Sequence, residues 1–399
     1  MAFLAIAFVS LAIWLFLLLF WGQFWQADRR LEQQEKKLEF YPSVCAVIPA
    51  RNEADLLPTA LRSLLTQDYP GIFSVVLVDD RSTDGTAEVA REIAEQLTQT
   101  EKLTVISGEP LPTGWTGKLW AIEQGIRYAS QQTPDYFLFT DADIEHDNNN
   151  LARLVTKAEK DNLDLVSLMV LLRCQSFWEK LLIPAFVFFF QKLYPFPWVN
   201  NPHKKTAAAA GGCILLRRQA LERIGGIEVV RQALIDDCAL AQAIKQSSTH
   251  KDNQLTSIWL GLTESTRSLR SYDSLTTIWD MVARTAYSQL NYSPWLLLGT
   301  VLAMSLVYLA APFSLLIGLL TANWLLTSIA LLTWLLMSLA YLPTVRLYQI
   351  SPLWSVCLSA IAFLYTLMTI DSALRSWQGK GGAWKGRVYS QFRRQEARD

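Results

Sequence analysis

The sequence predicts an α/β domain with a mostly parallel sheet, set between apolar segments long enough to enter a bilayer at both ends. Three observations support this. Strand-like and helix-like stretches alternate from Ser43 onward, the pattern of a sheet with helices on both faces. Uncharged apolar runs of about 20 residues, the length that crosses a bilayer, occur at the N-terminus and again beyond Trp295. Polar clusters follow Ile48, Val78 and Thr140, where strands of such sheets present their carboxyl ends to ligands.

Composition narrows the function classes. Only 18% of the 399 residues are charged, below the roughly 25% of ordinary soluble domains. Lys+Arg and Asp+Glu balance at 36 each, so no global field recruits nucleic acid, which is not expected as a partner. Five cysteines (Cys45, Cys174, Cys213, Cys238, Cys357) are scattered without paired spacing. They read as reduced thiols rather than a disulfide framework or a zinc site.

Residues 1–26 hold the apolar run Phe3 to Trp25, read as an N-terminal anchor because a basic leader and a small-residue cleavage site are lacking. Arg29, Arg30, Lys36 and Lys37 follow, placing the N-terminus outside and the next domain in the cytoplasm by the positive-inside rule. That domain is read as 40–290. Val44–Ile48 is a strand and Pro49 to Glu53 a loop. Asp55 to Thr66 is a helix by the spacing of Leu56, Leu57, Ala60, Leu61, Leu64 and Leu65. Ser74–Val78 is a second strand ending at Asp79 and Asp80, and a helix starts at Thr86 with Thr83 or Asp84 as N-cap. Leu103–Ile106 is a third strand and Lys118–Ser130 a third helix.

Tyr136–Thr140 is an apolar strand that runs into Asp141-Ala142-Asp143. In extended backbone the two carboxylates can face one side. With no Lys or Arg beside them in sequence, they repel each other unless a cation intervenes. A hard ion, Mg²⁺ or Mn²⁺, suits one or two carboxylates plus substrate diphosphate oxygens. The plainer alternative is a solvated acidic pair in a strand-end turn.

Segment 181–198, rich in Phe and Tyr and broken by Pro184, reads as too short to span. It is expected to be either a core helix or an interfacial element. Gly211 and Gly212, before the strand Cys213–Leu216, would permit close backbone approach to a ligand. Asp236 and Asp237 open another helix, where the dipole alone also favours acids. Trp279 to Leu290 is amphipathic and carries Arg284. His146, His203 and His250 are expected to be solvated, with His203 in a possible acceptor loop.

Region 294–372 offers Trp295–Thr321, Trp324–Val345 and Leu353–Ile370 as spans, before a basic tail at 373–399. Three full crossings would carry that tail outside, against the positive-inside rule. A cytoplasmic tail with an even number of C-terminal crossings is expected, the segment holding Pro312 or Asp371 being re-entrant or flat.

Taken in order, Val78 to Thr86, Asp141-Ala142-Asp143 and Ile235-Asp236-Asp237 resemble the motifs of family 2 glycosyltransferases with a GT-A fold, and Ile48 to Glu53 looks like that family's first loop. Gly114 to Ala121, Ala209 to Cys213 and Trp384-Lys385-Gly386-Arg387 resemble the membrane-bound, hopanoid-biosynthesis-associated (HpnB-like) branch, related to ceramide glucosyltransferases. The resemblance implies a bacterial inner-membrane, multi-pass enzyme with its catalytic domain in the cytoplasm. Such an enzyme would move a sugar, with inversion, from a nucleotide sugar (a UDP-sugar first) to a membrane lipid hydroxyl.

The same resemblance implies roles for individual residues. Asp143, with Asp141 toward metal or ribose, would hold the metal. Asp237, supported by Asp236, would be the base. Pro49, Arg51, Glu53, Asp79 and Asp80 would border the donor base and ribose, Lys118 would meet the diphosphate, and Arg284 would contact diphosphate or acceptor. Without the resemblance, Arg51 and Glu53 read as a surface ion pair and Lys118 as a solvated helix residue. Processive relatives carry Gln/Arg-x-x-Arg-Trp; here Met281 to Thr285 matches only at Arg284, which counts against polymerisation. The alternative is a nucleotide-sugar-binding membrane scaffold without chemistry. A sugar nucleotidyltransferase is set aside because Pro49–Asp55 lacks glycine.

Overall fold

The computed structural model describes residues 2–31, 38–247 and 257–379, with the backbone of 383–384 and 387–388. Expectations placed on Lys36, Lys37, His250 and the basic tail from Lys380 onward, including the motif from Trp384 to Arg387, lie outside the residues whose side chains are described. The chain forms two compact units. One comprises Asp28–Arg173, Trp198–Ser271 and Trp384–Asp399, and the other Met1–Ala27, Cys174–Pro197 and Tyr272–Ala383.

The first unit is an α/β fold built on an eight-stranded sheet. Its eight strands are β1 (Val44–Ala50), β2 (Phe73–Asp79), β3 (Leu103–Ser107), β4 (Tyr136–Thr140), β5 (Ile144–Glu145), β6 (Leu165–Leu171), β7 (Cys213–Arg217) and β8 (Ile258–Ser268). The sheet order is β3-β2-β1-β4-β7-β6-β8-β5. Strands β3, β2, β1 and β4 run parallel, as do β6 and β8. β7 is antiparallel to β4 and β6, and β5 to β8. All seven residues of β1 and all five of β4 are buried, as a central strand covered on both faces requires. Helices Leu57–Leu65, Thr86–Gln96, Gly117–Ala129 and Asn150–Lys160 follow their strands in chain order. The core gathers Val44, Ala46, Ile48, Leu77, Leu138 and Leu215 from the sheet with Leu61, Leu64 and Leu154 from helices.

Two local expectations change. Pro49 and Ala50 extend β1 rather than opening the loop. Gly85, at φ +85°, takes the N-cap position before Thr86, while Asp84 accepts from the Thr86 N–H at 3.1 Å and its hydroxyl at 2.6 Å.

The antiparallel run of β7 positions the site. Thr140 at the end of β4 pairs with Cys213 at the start of β7. The glycines that precede β7 therefore arrive beside Asp141 with no intervening loop.

In the second unit, helices Ala2–Phe20, Pro294–Leu320, Trp324–Leu347 and Pro352–Trp377 are long and apolar enough to cross a membrane. An even number of C-terminal crossings was expected. By length and composition all three C-terminal helices qualify, and neither Pro312 nor Asp371 shortens its segment. Asp371 instead accepts from the Trp279 indole at 2.7 Å and pairs with Arg375 at 2.7 Å.

Residues 181–193 of the aromatic segment lie in a helix that packs within this unit. Phe177–Leu193 runs unbroken through Pro184, and Leu182, Ile183, Val187 and Phe188 are buried. Phe188 packs on Tyr341 and Phe189 on Tyr365. Its start is fixed by a Ser176/Glu179 capping box. Buried Glu179 also accepts from the N–H groups of Gln175, Ser176 and Tyr272, each at 2.8 Å.

Candidate active site

The loops after β1 and β2 are fastened to each other. Asn52 N–H donates to Ser82 Oγ at 2.9 Å, Glu53 N–H to Thr86 Oγ1 at 3.0 Å and Ala54 N–H to Asp84 Oδ2 at 3.0 Å. In return Thr83 N–H donates to Asn52 Oδ1 at 2.9 Å. Asn52 and Arg81 both take positive φ, 51° and 58°, a conformation that non-glycine residues hold only where surrounding contacts impose it. The run of short polar residues from Asp79 to Thr86 is thus explained by backbone donors it must satisfy.

Arg51 and Glu53 do not form the surface pair that isolated reading suggested; Arg51 meets buried Asp80 and Glu53 meets Arg270. Arg51 Nη1 donates to the Asp80 carbonyl at 2.6 Å and lies 3.7 Å from its carboxylate, which is 3% exposed. Arg51 Nε is buried with no hydrogen-bond partner, an orphaned donor that a ligand oxygen would satisfy. Asp79 is buried and accepts from the Ser82 N–H at 3.3 Å, so its carboxylate holds the turn.

Lys118, one residue into the Gly117–Ala129 helix, is not a solvated helix residue. Its ammonium lies 2.8 Å from Asp141 and 3.8 Å from Asp236. Burial alone would lower its pKa, but Asp141, Asp236 and Asp237 outweigh burial and hold it raised.

Asp141, Ala142 and Asp143 lie in a turn, not in extended backbone, and the Ile144 N–H closes that turn on the Asp141 carbonyl at 3.3 Å. The two carboxylates therefore meet different cations. Asp143, 9% exposed at its side chain, is held by Arg270 Nε at 2.8 Å, and Arg270 Nη2 reaches Glu53 at 2.7 Å. Burial raises the Asp143 pKa, Asp141 adds to this, and Arg270 opposes it. Neither cation stands near Asp141 or Asp143 in sequence, so the argument that a metal must separate the pair does not hold in this form.

Asp237 sits at the front of the Asp236–Gln246 helix. Its Oδ2 accepts from the Gly211 N–H at 2.8 Å and its Oδ1 from the Cys238 N–H at 2.7 Å. Burial first, then adjacent Asp236, push its pKa up to about 6 against the opposing effect of Lys118. A Cβ at Gly211 would stand 3.2 Å from Lys118 Nζ and 3.3 Å from Asp237 Oδ2, so glycine there keeps backbone, cation and acid close. A Cβ at Gly212 would press on Val170 at 3.1 Å, so packing also requires glycine there.

One pocket is lined by Pro49, Lys118, Thr140, Asp141, Gly211, Asp236 and Asp237, among others. Arg284 belongs to the other unit, exposed at the end of helix Leu275–Ala283. His146 is buried and not solvated. Nδ1 faces Asn150 Nδ2 and Nε2 faces Thr140 Oγ1, both at 2.9 Å; burial pushes its pKa down to about 4. His203 is exposed. Among the described residues no group of three or more His, Cys, Asp or Glu is arranged to hold a metal. None of the five cysteines is in a disulfide.

Comparison with known proteins accords with this geometry. Residues 45–225 match the family model described as Glycosyl transferase family 2. The 4,4'-diaponeurosporenoate glycosyltransferase of Staphylococcus haemolyticus is 31% identical over 125 residues, 31% of this chain and 30% of that protein. Its Staphylococcus aureus counterpart (strain bovine RF122 / ET3-1) is 33% identical over 118 residues, 29% and 28% of the two chains. The chain thus spans about three tenths of the length of these curated relatives. Among solved structures, mannosyltransferase PcManGT from Pyrobaculum calidifontis, in complex with GDP-Man and Mn²⁺, superposes with a TM-score of 0.58 at 20% identity, covering 94% of this chain and 98% of that one. Residues 45–225 are thus similar to family 2 glycosyltransferase domains, and the chain shares the GT-A-like fold.

Proposed function

We propose that the chain is an inverting, metal-dependent glycosyltransferase that moves a sugar from a nucleotide donor, a UDP-sugar first, to the hydroxyl of a membrane lipid. The observation that carries this is Asp237, a buried carboxylate held by two backbone N–H groups and pushed up to about 6, in the same pocket as Lys118 and Asp141. A base poised near neutrality, beside a cationic and acidic ledge at strand ends, is what sugar transfer to a hydroxyl requires.

In this reading Asp237 accepts the proton of the acceptor hydroxyl as its oxygen attacks the anomeric carbon from the face opposite the nucleotide. Burial first, and Asp236 after it, keep the pKa of Asp237 high. Asp80 and the orphaned Nε of Arg51 orient base and ribose, and Asp79 holds their loop. Lys118 meets the diphosphate as a point charge, exchanging part of its contact with Asp141 for phosphate oxygens. Asp143 and Asp141 would hold Mg²⁺ or Mn²⁺. Lys118 and Arg270 engage one oxygen of each, and two carboxylates completed by diphosphate and water suit a hard octahedral ion. When bound, the ion supplies Lewis-acid neutralisation of the leaving diphosphate.

The apolar helices of the membrane unit and relatives named for 4,4'-diaponeurosporenoate support a lipid acceptor. Resemblance in the motifs points to hopanoid or glycolipid synthesis at a bacterial inner membrane, with the sheet unit in the cytoplasm and residues 181–198 at the membrane face. The test uses full-length protein in nanodiscs with Mn²⁺ or Mg²⁺ and a panel of UDP-, GDP- and dTDP-sugars, with and without extracted bacterial lipids. Lipid-stimulated, EDTA-sensitive release of nucleoside diphosphate from one donor is expected. Tight donor binding with no turnover on any lipid would instead favour the scaffold.

A further inference from the structure

The membrane unit contains a cation set among rings. Lys192, in the last turn of helix Phe177–Leu193, donates to the Tyr308 hydroxyl at 2.8 Å. Its ammonium lies 4.6 Å from the centre of the Tyr308 ring and 5.7 Å from that of Phe189. Among the described residues no carboxylate forms an ion pair with it.

Its partner is placed by an irregularity. Tyr308 is fully buried and lies in a π-helical stretch, Ser305–Leu309, inside the Pro294–Leu320 helix. Such wide turns disturb the regular ladder and recur at functional positions. The Val307 carbonyl there is taken up by the Trp14 indole at 2.7 Å, and the Trp14 ring stands edge-on to Tyr308 at 5.6 Å. The Trp21 indole fixes the other side, donating to the Lys192 carbonyl at 2.9 Å.

A cation in apolar surroundings is costly unless it is paired, and ring faces offset only part of that cost. Ionisable side chains among membrane helices generally mark binding sites or pathways. Because Tyr308 accepts from Lys192, its own hydroxyl proton remains to donate to a further oxygen. Lys192 and Tyr308 together thus present two donors to one anionic group. We propose that they bind the headgroup carboxylate or phosphate of a lipid whose chain lies among the apolar helices of this unit. The aromatic surroundings, Trp14, Phe189 and Tyr308, favour an amphiphile over a free anion. This inference stands independently of the reading of the sheet unit.

The test titrates full-length protein in neutral detergent with oleate, oleyl phosphate and oleyl alcohol, and separately with acetate and inorganic phosphate. Binding is followed by tryptophan fluorescence and the thermal midpoint. One charge-assisted contact predicts that oleate or oleyl phosphate binds about tenfold or more tighter than oleyl alcohol. Lys192→Met and Tyr308→Phe should erase or shrink that preference, and Lys192→Arg should keep it. Equal binding of the alcohol and the anions, or a preference that survives Lys192→Met, would overturn the proposal. So would binding of acetate or inorganic phosphate as tight as that of the amphiphiles. If Lys192→Met does not fold, Tyr308→Phe and the wild-type comparison of acid with alcohol still decide.

Discussion

Asp141–Asp143 and Asp236–Asp237 are both close acidic pairs in sequence, yet the fold gives them different electrostatic surroundings. The first pair lies in a turn after β4, and its members are separated onto different cations, Lys118 and Arg270. The second pair lies at a helix front, where Asp236 shares Lys118 at 3.8 Å. Asp237 is held there by two neutral N–H donors. Burial and the neighbouring Asp141 raise the Asp143 pKa, but the Arg270 guanidinium at 2.8 Å opposes that rise by direct contact with its carboxylate. Burial beside a like charge makes Asp237 fit to take a proton. Identical residues acquire different chemistry from what the remainder of the chain brings to them.

The variant that separates the pairs most strongly is Asp237→Asn. It keeps the shape and removes the base, so turnover should fall about 10³-fold while donor affinity stays within a few-fold. Nucleoside diphosphate release and donor binding measured on the same preparation check this. Loss of both together would place Asp237 in donor binding instead.

Asp143→Asn tests the other pair. The metal concentration needed for half-maximal activation should rise at least about tenfold, read from Mn²⁺ titrations of activity and of Mn²⁺ binding by electron paramagnetic resonance. An unchanged Mn²⁺ affinity would assign the ion elsewhere.

Lys118→Met touches both pairs. It removes the cation that opposes the rise of Asp237, so the acid limb of the rate profile should move to higher pH. Its partners are 22–36% exposed, so solvent screening limits the stability cost to about 1–3 kcal/mol, visible as a lowered thermal midpoint. Gly211→Ala should have the smallest effect, a rate loss below about tenfold, because Lys118 Nζ and Asp237 Oδ2 must each give by a few tenths of an ångström.

Much of the sheet was readable because its signals are local. The apolar runs at 44–48, 74–78 and 136–140, each ending in polar residues, appear as β1, β2 and β4, with boundaries shifted by at most two residues. The acids at their ends stood out for the same reason. What the sequence did not display depends on distance along the chain. Arg270 lies 127 residues from Asp143 and 217 from Glu53, and the pairing of β8 with β5 and β6, with the Leu269 N–H on the Asp143 carbonyl, brings it there. His146 looked solvated among Glu145, Asp147 and Asn148, yet the turn after β5 folds it under Thr140. Pro184 looked like a helix breaker, but packing against Tyr341 and Tyr365 within the same unit accompanies an unbroken helix.

The most direct test of the central claim is the pH dependence of nucleoside diphosphate release, at saturating donor and metal, from pH 5 to 8. Asp237 works as a base only when deprotonated, so the rate should be level above its pKa and fall as pH drops through about 6, approaching tenfold per unit below it. A profile that stays flat down to pH 5, or the same acid limb in the residual activity of Asp237→Asn, would contradict the assignment of Asp237 as the base.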